Sequence, residues 1–222
     1  MAEIIVNDDF SGEIEIDCLI IGGGAAGLTA ALAAAEGGAS ILVAERENQI
    51  AGSTALSSGL IPAAETKAQK RQRINDKKST FFEDIMNKNN SSADPSHVNL
   101  CVENITVALD WLEETHGIPF HVLDDFLYPS HTNFRMHAVP EVTGGALINY
   151  LEKAVSELDV YVSCNLHIIN LVRSNKGKFL GAIGKRPDGS VEKISSKSII
   201  LACNGYGGNT KLIAENIPEM KN

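Results

Sequence analysis

The run Gly22-Gly23-Gly24-Ala25-Ala26-Gly27 and the carboxylate of Glu45 have the residue types and spacing that grip a dinucleotide. Gly22 permits a tight turn, Gly24 lets backbone approach a pyrophosphate, and Gly27 lets a helix pack closely on a sheet. The amides that open that helix, at the positive end of its dipole, face phosphates. An acid about 20 residues further on accepts hydrogen bonds from ribose hydroxyls. Glu45 would repel the extra phosphate of NADP, but it leaves NAD and FAD both open. Ala26 within the turn and Arg46 beside the acid complete the candidate set from this stretch.

Chemistry of this kind needs a strand, a helix and a second strand. Ile14 to Ile21 supplies an apolar first strand, Leu28 to Glu36 an alanine-rich helix that Gly38 can end, and Ile41 to Glu45 the second strand. Small residues on the helix, with Ala31 one turn after Gly27, allow close approach to the sheet.

Two further segments separate the cofactors. Gly52-Ser53-Thr54, followed by Ser57-Ser58-Gly59, lies just beyond Glu45, and Ser198-Ile-Ile-Leu-Ala202-Cys203-Asn204-Gly205-Tyr-Gly-Gly-Asn209 lies near the end of the chain. In this order the three motifs resemble the FAD-dependent oxidoreductase family of fumarate reductase and succinate dehydrogenase flavoproteins and 3-ketosteroid dehydrogenases. The resemblance implies an α/β fold, a Rossmann-like FAD-binding domain with a central parallel sheet, a small antiparallel β-meander and additional helices. It implies that Gly52, Ser53, Thr54, Ser58 and Gly59 wrap the pyrophosphate and reach toward the flavin. It also implies that the strand near Ile168 gives backbone contacts to the adenine, and that Ala202 and Gly205 lie beside the cofactor. Hydride would pass between FAD and a carbon next to a carbonyl or carboxylate of a small-molecule substrate, an unsaturated acid or ketone. Ser53 stands where succinate dehydrogenase-type relatives carry the histidine bonded to flavin, so FAD is expected to be noncovalent. Cys203, Asn204 and Leu60 depart from the family's usual Thr, Gly and Gly.

Family members are much longer than 222 residues. Residues 1–222 are therefore expected to be the N-terminal portion of an FAD-binding domain, with 65–140 a helical insertion and the capping domain absent. Catalytic residues stay unassigned, and there is room for a partner chain that supplies the missing half. Two alternatives stand beside this reading, a noncatalytic truncated dinucleotide-binding module and an NAD-dependent dehydrogenase using the same glycine turn.

A net charge of -9 argues against broad attraction to nucleic acid or anionic membrane. The four cysteines, Cys18, Cys101, Cys164 and Cys203, form no Cys-x-x-Cys pair, so no metal site is expected and a reducing cytoplasm fits best. No run reaches membrane-spanning length.

The middle of the chain is polar. Lys67, Lys70, Arg71, Arg73, Lys77 and Lys78 read as a solvated helix face rather than a nucleic-acid site. Asp94-Pro95 opens a helix whose apolar stripe is Val98, Cys101, Val102, Ile105, Ala108, Leu109 and Leu112, ending at Gly117, with Trp111 an anchor. Tyr128, His131, Arg135 and His137 form the most polar constellation, and its His-x-x-x-Arg-x-His spacing is similar to one in fumarate reductase-like members. Arg135 could hold a carboxylate or a flavin phosphate. Alternatively these residues fasten a long loop to the nucleotide domain through backbone hydrogen bonds. Thr143 caps a helix over Ala146 to Leu158. Strands follow at Val160, Leu166 to Val172 and Phe179 to Lys185, then a turn at Arg186 to Gly189, Val191 to Ile194, and a return strand Ser198 to Ala202.

Overall fold

The computed structural model describes residues 2–220. In chain order its elements are β1 (Glu3–Val6), β2 (Ile14–Ile21), α1 (Ala25–Glu36), β3 (Ile41–Ala44), α2 (Gly52–Ala55), β4 (Ile61–Pro62), α3 (Lys67–Arg71), α4 (Lys78–Lys88), α5 (Pro95–His116), β5 (His121–Val122), β6 (Met136–Ala138), α6 (Gly144–Ser156), β7 (Val160–Ser163), β8 (His167–Arg173), β9 (Phe179–Lys185), β10 (Val191–Leu201) and α7 (Thr210–Asn216), with a 3-10 turn at Pro218–Met220. They divide into two units, Met1–Ser53 with Val155–Asn222, and Thr54–Ala154.

The first unit is built on a seven-stranded sheet in the order β1-β8-β9-β10-β2-β3-β7. Its pairs β10–β2, β2–β3, β3–β7 and β1–β8 are parallel, while β8–β9 and β9–β10 are antiparallel. The antiparallel meander is thus part of the main sheet. All four residues of β3 and the Cys18-Leu19-Ile20 run of β2 are buried, the continuous apolar pattern of parallel strands. Leu19, Leu42, Ala44, Leu166, Ile168, Ala182 and Ile194 form the core. Helix α1 begins at Ala25, a turn before the run that sequence propensity marks, because Gly24 takes the extended cap conformation. It buries Gly27, Leu28, Ala31 and Leu32, and Gly38, at φ +76°, turns the chain out of it.

Two differences from the sequence reading have clear causes. The short apolar piece at the start is a strand, β1, because β8 offers it a parallel edge. Val191–Ile194 and Ser198–Ala202, expected as separate strands, are one element, β10, which runs through Ser195-Ser196-Lys197 without a break. Polar residues of low strand propensity stay extended there because β2 pairs with them in continuous register, and the Ser198 hydroxyl donates to the Asp17 carbonyl.

The second unit holds a three-stranded antiparallel sheet, β4-β6-β5, with helices. Ala64, Phe81, Val98 and Val102 centre its core. Helix α5 is capped by the Asp94 carboxylate, which accepts from Ser96 N at 2.8 Å, has Pro95 in its first turn, and ends at Gly117 in the left-handed region. Its buried stripe departs from expectation at two positions: Cys101 is exposed, and Thr106 is buried with its hydroxyl donating to the Ala64 carbonyl at 2.6 Å. Trp111 lies half-buried, edge-on to His116. Half of the basic cluster is matched by acids of α5: Arg71 by Glu113, Lys78 by Glu103 and Lys67 by Glu114. Each pair is at least partly exposed and worth about 1 kcal/mol or less.

The two halves of β10 should respond differently to truncation. Ile194→Ala, at a fully buried core position, is expected to cost about 2–5 kcal/mol in chemical denaturation. Leu201→Ala, 63% exposed, should stay within about 0.5 kcal/mol. Equal losses would contradict this placement of β10.

Candidate functional site

Parallel pairing puts the ends of β10, β2 and β3 side by side, and the chain leaves each of them through a candidate segment. Ala202 N continues the β10–β2 ladder onto the Ile21 carbonyl at 2.8 Å, and Gly22 N reaches the Ala44 carbonyl at 2.9 Å. So Ala202–Gly205, Gly22–Gly27 and Glu45–Arg46 emerge from three adjacent strands at one mouth of the sheet.

Crowding at this mouth explains its glycines. Gly22 has φ +111°, and a Cβ there would lie 2.5 Å from the Ala202 carbonyl oxygen. At Gly27 a Cβ would overlap the Gly22 oxygen at 1.9 Å, so α1 could not seat on the turn with any other residue. Gly24 is the N-cap of α1 and brings no side chain to it. A helix start dressed only in glycine and alanine presents backbone amides and the positive end of the dipole, a chemistry that suits phosphate oxygens. Ala26, the second residue of α1, is exposed.

Glu45 is buried, and its carboxylate turns back on the glycine turn: Oε2 accepts from Gly23 N at 2.8 Å and Oε1 from Glu47 N at 2.9 Å. Two backbone amides thus fix the acid, and each oxygen keeps a further lone pair for a hydroxyl donor. Arg46 is largely exposed and pairs with Glu47 at 2.9 Å. It also lines a cavity of about 240 Å³ with Asn165, His167, Lys185, Arg186 and Pro187. The Ile168 side chain is in the core, and its strand bulges between Ile168 and Asn170.

Gly52 and Ser53 complete the first unit's candidates. Gly52 sits at φ +58°. Ser53 Oγ accepts from Asn204 Nδ2 at 2.9 Å, a bond that ties its segment to the one leaving β10. Sequence reasoning did not select Asn204, although its signal was present. Its φ is +60°, a conformation glycine favours and asparagine tolerates best among the others.

Thr54, Ser58 and Gly59 belong to the second unit. There Ser57, also passed over, organises the loop: its N and Oγ both donate to the Thr54 carbonyl, and its Oγ accepts from Gly59 N at 3.0 Å. Its carbonyl accepts from Gly144 N at 2.9 Å. Gly59, at φ +67°, and Gly144 meet so closely that a Cβ on either would strike backbone of the opposing segment.

The constellation around Arg135 resolves differently from either sequence reading. Arg135 is fully buried; its Nε and Nη2 donate to both oxygens of Asp76 at 2.9 Å, and its Nη1 donates to Asp84 Oδ2 at 2.7 Å. The guanidinium is committed to carboxylates of its own unit, so it neither offers itself to a substrate acid nor works through backbone bonds. His137, also buried, lies 2.9 Å from the Arg135 carbonyl through Nδ1 and 2.8 Å from the Thr66 hydroxyl through Nε2. Since a carbonyl only accepts, the proton is on Nδ1 and Thr66 donates to Nε2. Thr66 in turn caps α3 in a capping box with Gln69. Tyr128 and His131 pack ring against ring at 5.2 Å.

Titration in this unit favours neutral pH. Burial pushes His137 and His131 below their ordinary value of 6.5. Burial also acts to raise Asp84, but hydrogen bonds from Thr132 and the Arg135 charge outweigh it and hold the carboxyl below its usual 3.8. For all three the unfolded chain takes up protons first as pH falls, so stability declines through 6.5 and again through the carboxylate range. The thermal midpoint is expected to drop between pH 7 and 5, and the double variant His131→Asn/His137→Asn should flatten that slope. Arg135→Met, which leaves two buried carboxylates unpaired, should cost about 3–5 kcal/mol in denaturant titration.

Residues 17–222 match the model of a family described as an FAD binding domain. A probable fumarate reductase of Shewanella frigidimarina is 29% identical over 91% of this chain and 34% of its own length. A urocanate reductase of Eggerthella lenta is 29% identical over 93% of the chain and 34% of its own length. Among solved structures, a flavocytochrome c3 fumarate reductase in its open conformation superposes with a TM-score of 0.88 at 27% identity, covering 96% of this chain and 37% of that one. The chain spans about a third of the length of these relatives. The fold is shared with a 3-ketosteroid dehydrogenase of Rhodococcus jostii, TM-score 0.84 at 22% identity. Among the described residues no helix is long and apolar enough to cross a membrane.

Proposed function

We infer the function of this chain from the premise that it belongs to the FAD binding domain family: it holds FAD for an oxidoreductase that makes or saturates a carbon–carbon double bond next to a carboxylate or carbonyl. The observation that carries this is the convergence of Gly22–Gly27, Glu45 and Ala202–Gly205 at the ends of three adjacent parallel strands. Ligands of open α/β sheets bind outside such strand ends.

In this reading the first turn of α1 meets the pyrophosphate, with Gly22, Gly24 and Gly27 keeping the approach clear and Ala26 beside them. Glu45, already held by two amides, accepts hydrogen bonds from the adenylate ribose with its remaining lone pairs, and Arg46 flanks it. Gly52 and Ser53 line the path toward the flavin, and Ala202 and Gly205 border it. Backbone at Ile168 meets the adenine. Bound FAD supplies hydride transfer. The chain's own residues bind and orient it. Ser53 spends its hydroxyl oxygen on Asn204 and offers no imidazole, which supports noncovalent attachment.

Support for the substrate class comes from the relatives, one a probable fumarate reductase and one a urocanate reductase. We assign the same class here, an unsaturated acid, with an unsaturated ketone next. Acid catalyst and substrate clamp are assigned to no residue of this chain. They fall to the two-thirds of the relatives' length that it does not span, on a partner chain or otherwise. Residues 65–140 serve as a helical insertion in the FAD-binding portion.

Flavin fluorescence titration tests the cofactor site. Gly24→Val should abolish binding, and Glu45→Ala should weaken it by about 1–3 kcal/mol while the chain stays folded. Unchanged affinity in both would remove the glycine turn from the site. On heat denaturation all flavin should pass into the supernatant; flavin retained on the precipitated chain would contradict noncovalent attachment.

A further inference from the structure

The cavity of about 240 Å³ in the first unit, lined by Arg46, Asn165, His167, Lys185, Arg186 and Pro187, is unlike the rest of the molecule in charge. Its lining holds two arginines, a lysine and a histidine and no acid, in a chain whose net charge is -9. These residues come from the loop after β3, the start of β8, the end of β9 and the turn that follows β9. Only folding brings them together. The β8–β9 register sets His167 directly opposite Lys185, and such partners carry their side chains on one face about 5 Å apart. Two basic groups in that position gain nothing from each other, and like charges there destabilise a sheet.

The donors divide into held and open. Arg186 spends four of its five N–H groups: Nε and Nη2 donate to the Glu192 oxygens at 2.5 and 3.2 Å, Nη2 to Ser163 Oγ at 2.8 Å, and Nη1 to the Cys164 carbonyl at 2.7 Å. The guanidinium is thereby fixed, with one Nη1 hydrogen uncommitted. Arg46 uses Nε and Nη2 on Glu47 and keeps Nη1. The side chains of Lys185 and His167 have no hydrogen-bond or ion-pair partner among the described residues. Since Glu47 and Glu192 offset the two arginines, Lys185 is the fixed charge left without compensation.

A pinned guanidinium with a spare donor, a free ammonium and an imidazole around one small space form a receptor for a compact anion. Donors arriving from three strand ends and a turn suit the tetrahedral oxygens of phosphate better than a planar carboxylate. The volume lies below the roughly 300–1,000 Å³ of pockets that enclose drug-sized ligands, so the phosphate carries little else into it. FAD does not satisfy these donors, because both of its phosphates are assigned to the first turn of α1 and its adenosine bears no other. We propose that this cavity is a second anion site, which takes inorganic phosphate or the phosphate of a small monoester through Lys185, His167, Arg186 and Arg46. It goes beyond the proposed function and does not depend on it.

The test is equilibrium dialysis of the full 222-residue chain against radiolabelled inorganic phosphate, and separately against methyl phosphate, at constant ionic strength set with sodium chloride. Each is run with and without saturating FAD. One anion per chain should bind with a Kd of about 1 mM or tighter, changed less than about threefold by FAD. Lys185→Ala/His167→Ala, at exposed positions, should weaken binding by about tenfold or more, with the melting temperature unchanged or raised as the opposed pair is removed. Lys185→Gln alone should give part of that loss. Lys176→Ala/Lys178→Ala, which strips charge from the β8–β9 turn, should leave the Kd unaltered. Tighter binding of inorganic phosphate identifies the free ion as the ligand, and tighter binding of methyl phosphate a monoester; either upholds the site. Binding that does not saturate, or that both double variants weaken equally, reduces the cavity to general attraction and overturns the proposal. Mutual exclusion of phosphate and FAD would make the cavity part of the cofactor site and overturn it as well. If phosphate binds as expected and FAD does not bind at all, the proposed function fails while this site stands.

Discussion

The constraint on which the rest of the first unit depends is the close approach of three backbone segments at the mouth of the parallel sheet. Gly22 passes within contact of the Ala202 carbonyl, and Gly27 seats α1 against Gly22, with no room for a Cβ at either position. Once these segments touch, the start of α1 can only point its amides outward from the strand ends. Glu45 reinforces the arrangement, since its carboxylate bonds the Gly23 amide across the β2–β3 step. A residue read as a ligand for ribose is therefore also a brace of the turn that meets the phosphates. The two roles are compatible because a carboxylate offers about four lone-pair sites and the brace uses two.

The second unit is held by a different interaction. Arg135, Asp76 and Asp84 form a buried ion cluster in which the guanidinium meets both carboxylates, and the carboxylates also accept from neutral donors, Asn133 and Gln69 at Asp76 and Thr132 at Asp84. A cluster of this kind contributes less net stability than its Coulomb attraction suggests, because three charges lose their hydration. What it does strongly is penalise any arrangement that separates the partners. It joins the middle of α4, the residues before that helix and the residue that leads into β6 in one geometry, and His137 extends the same network to the cap of α3. The polar constellation that looked most like a catalytic group is thus an internal fastener.

Strand β10 joins two kinds of pairing in one element. Its first half closes an antiparallel meander and its second half lies parallel to β2. This is how a hairpin-rich stretch of sequence and a nucleotide-binding sheet become one continuous structure. The backbone ladder carries the chain through Ser195-Ser196-Lys197, where side-chain propensity alone would break it.

Local sequence by itself determined the strand–turn–helix–strand order at Gly22–Glu45 and the cap and stop of α5, whereas FAD rather than NAD came from the family resemblance of three motifs. The first two rest on interactions within a few residues or on glycines that no other side chain can replace. Only the tertiary structure decided the partner of Arg135, the burial of Thr106 in place of Cys101, the joining of two expected strands into β10, and the roles of Ser57 and Asn204. Those outcomes depend on which distant backbone or carboxylate arrives beside a residue. A guanidinium reads the same in sequence whether it awaits a substrate or is already satisfied by two aspartates more than fifty positions away, as Arg135 is.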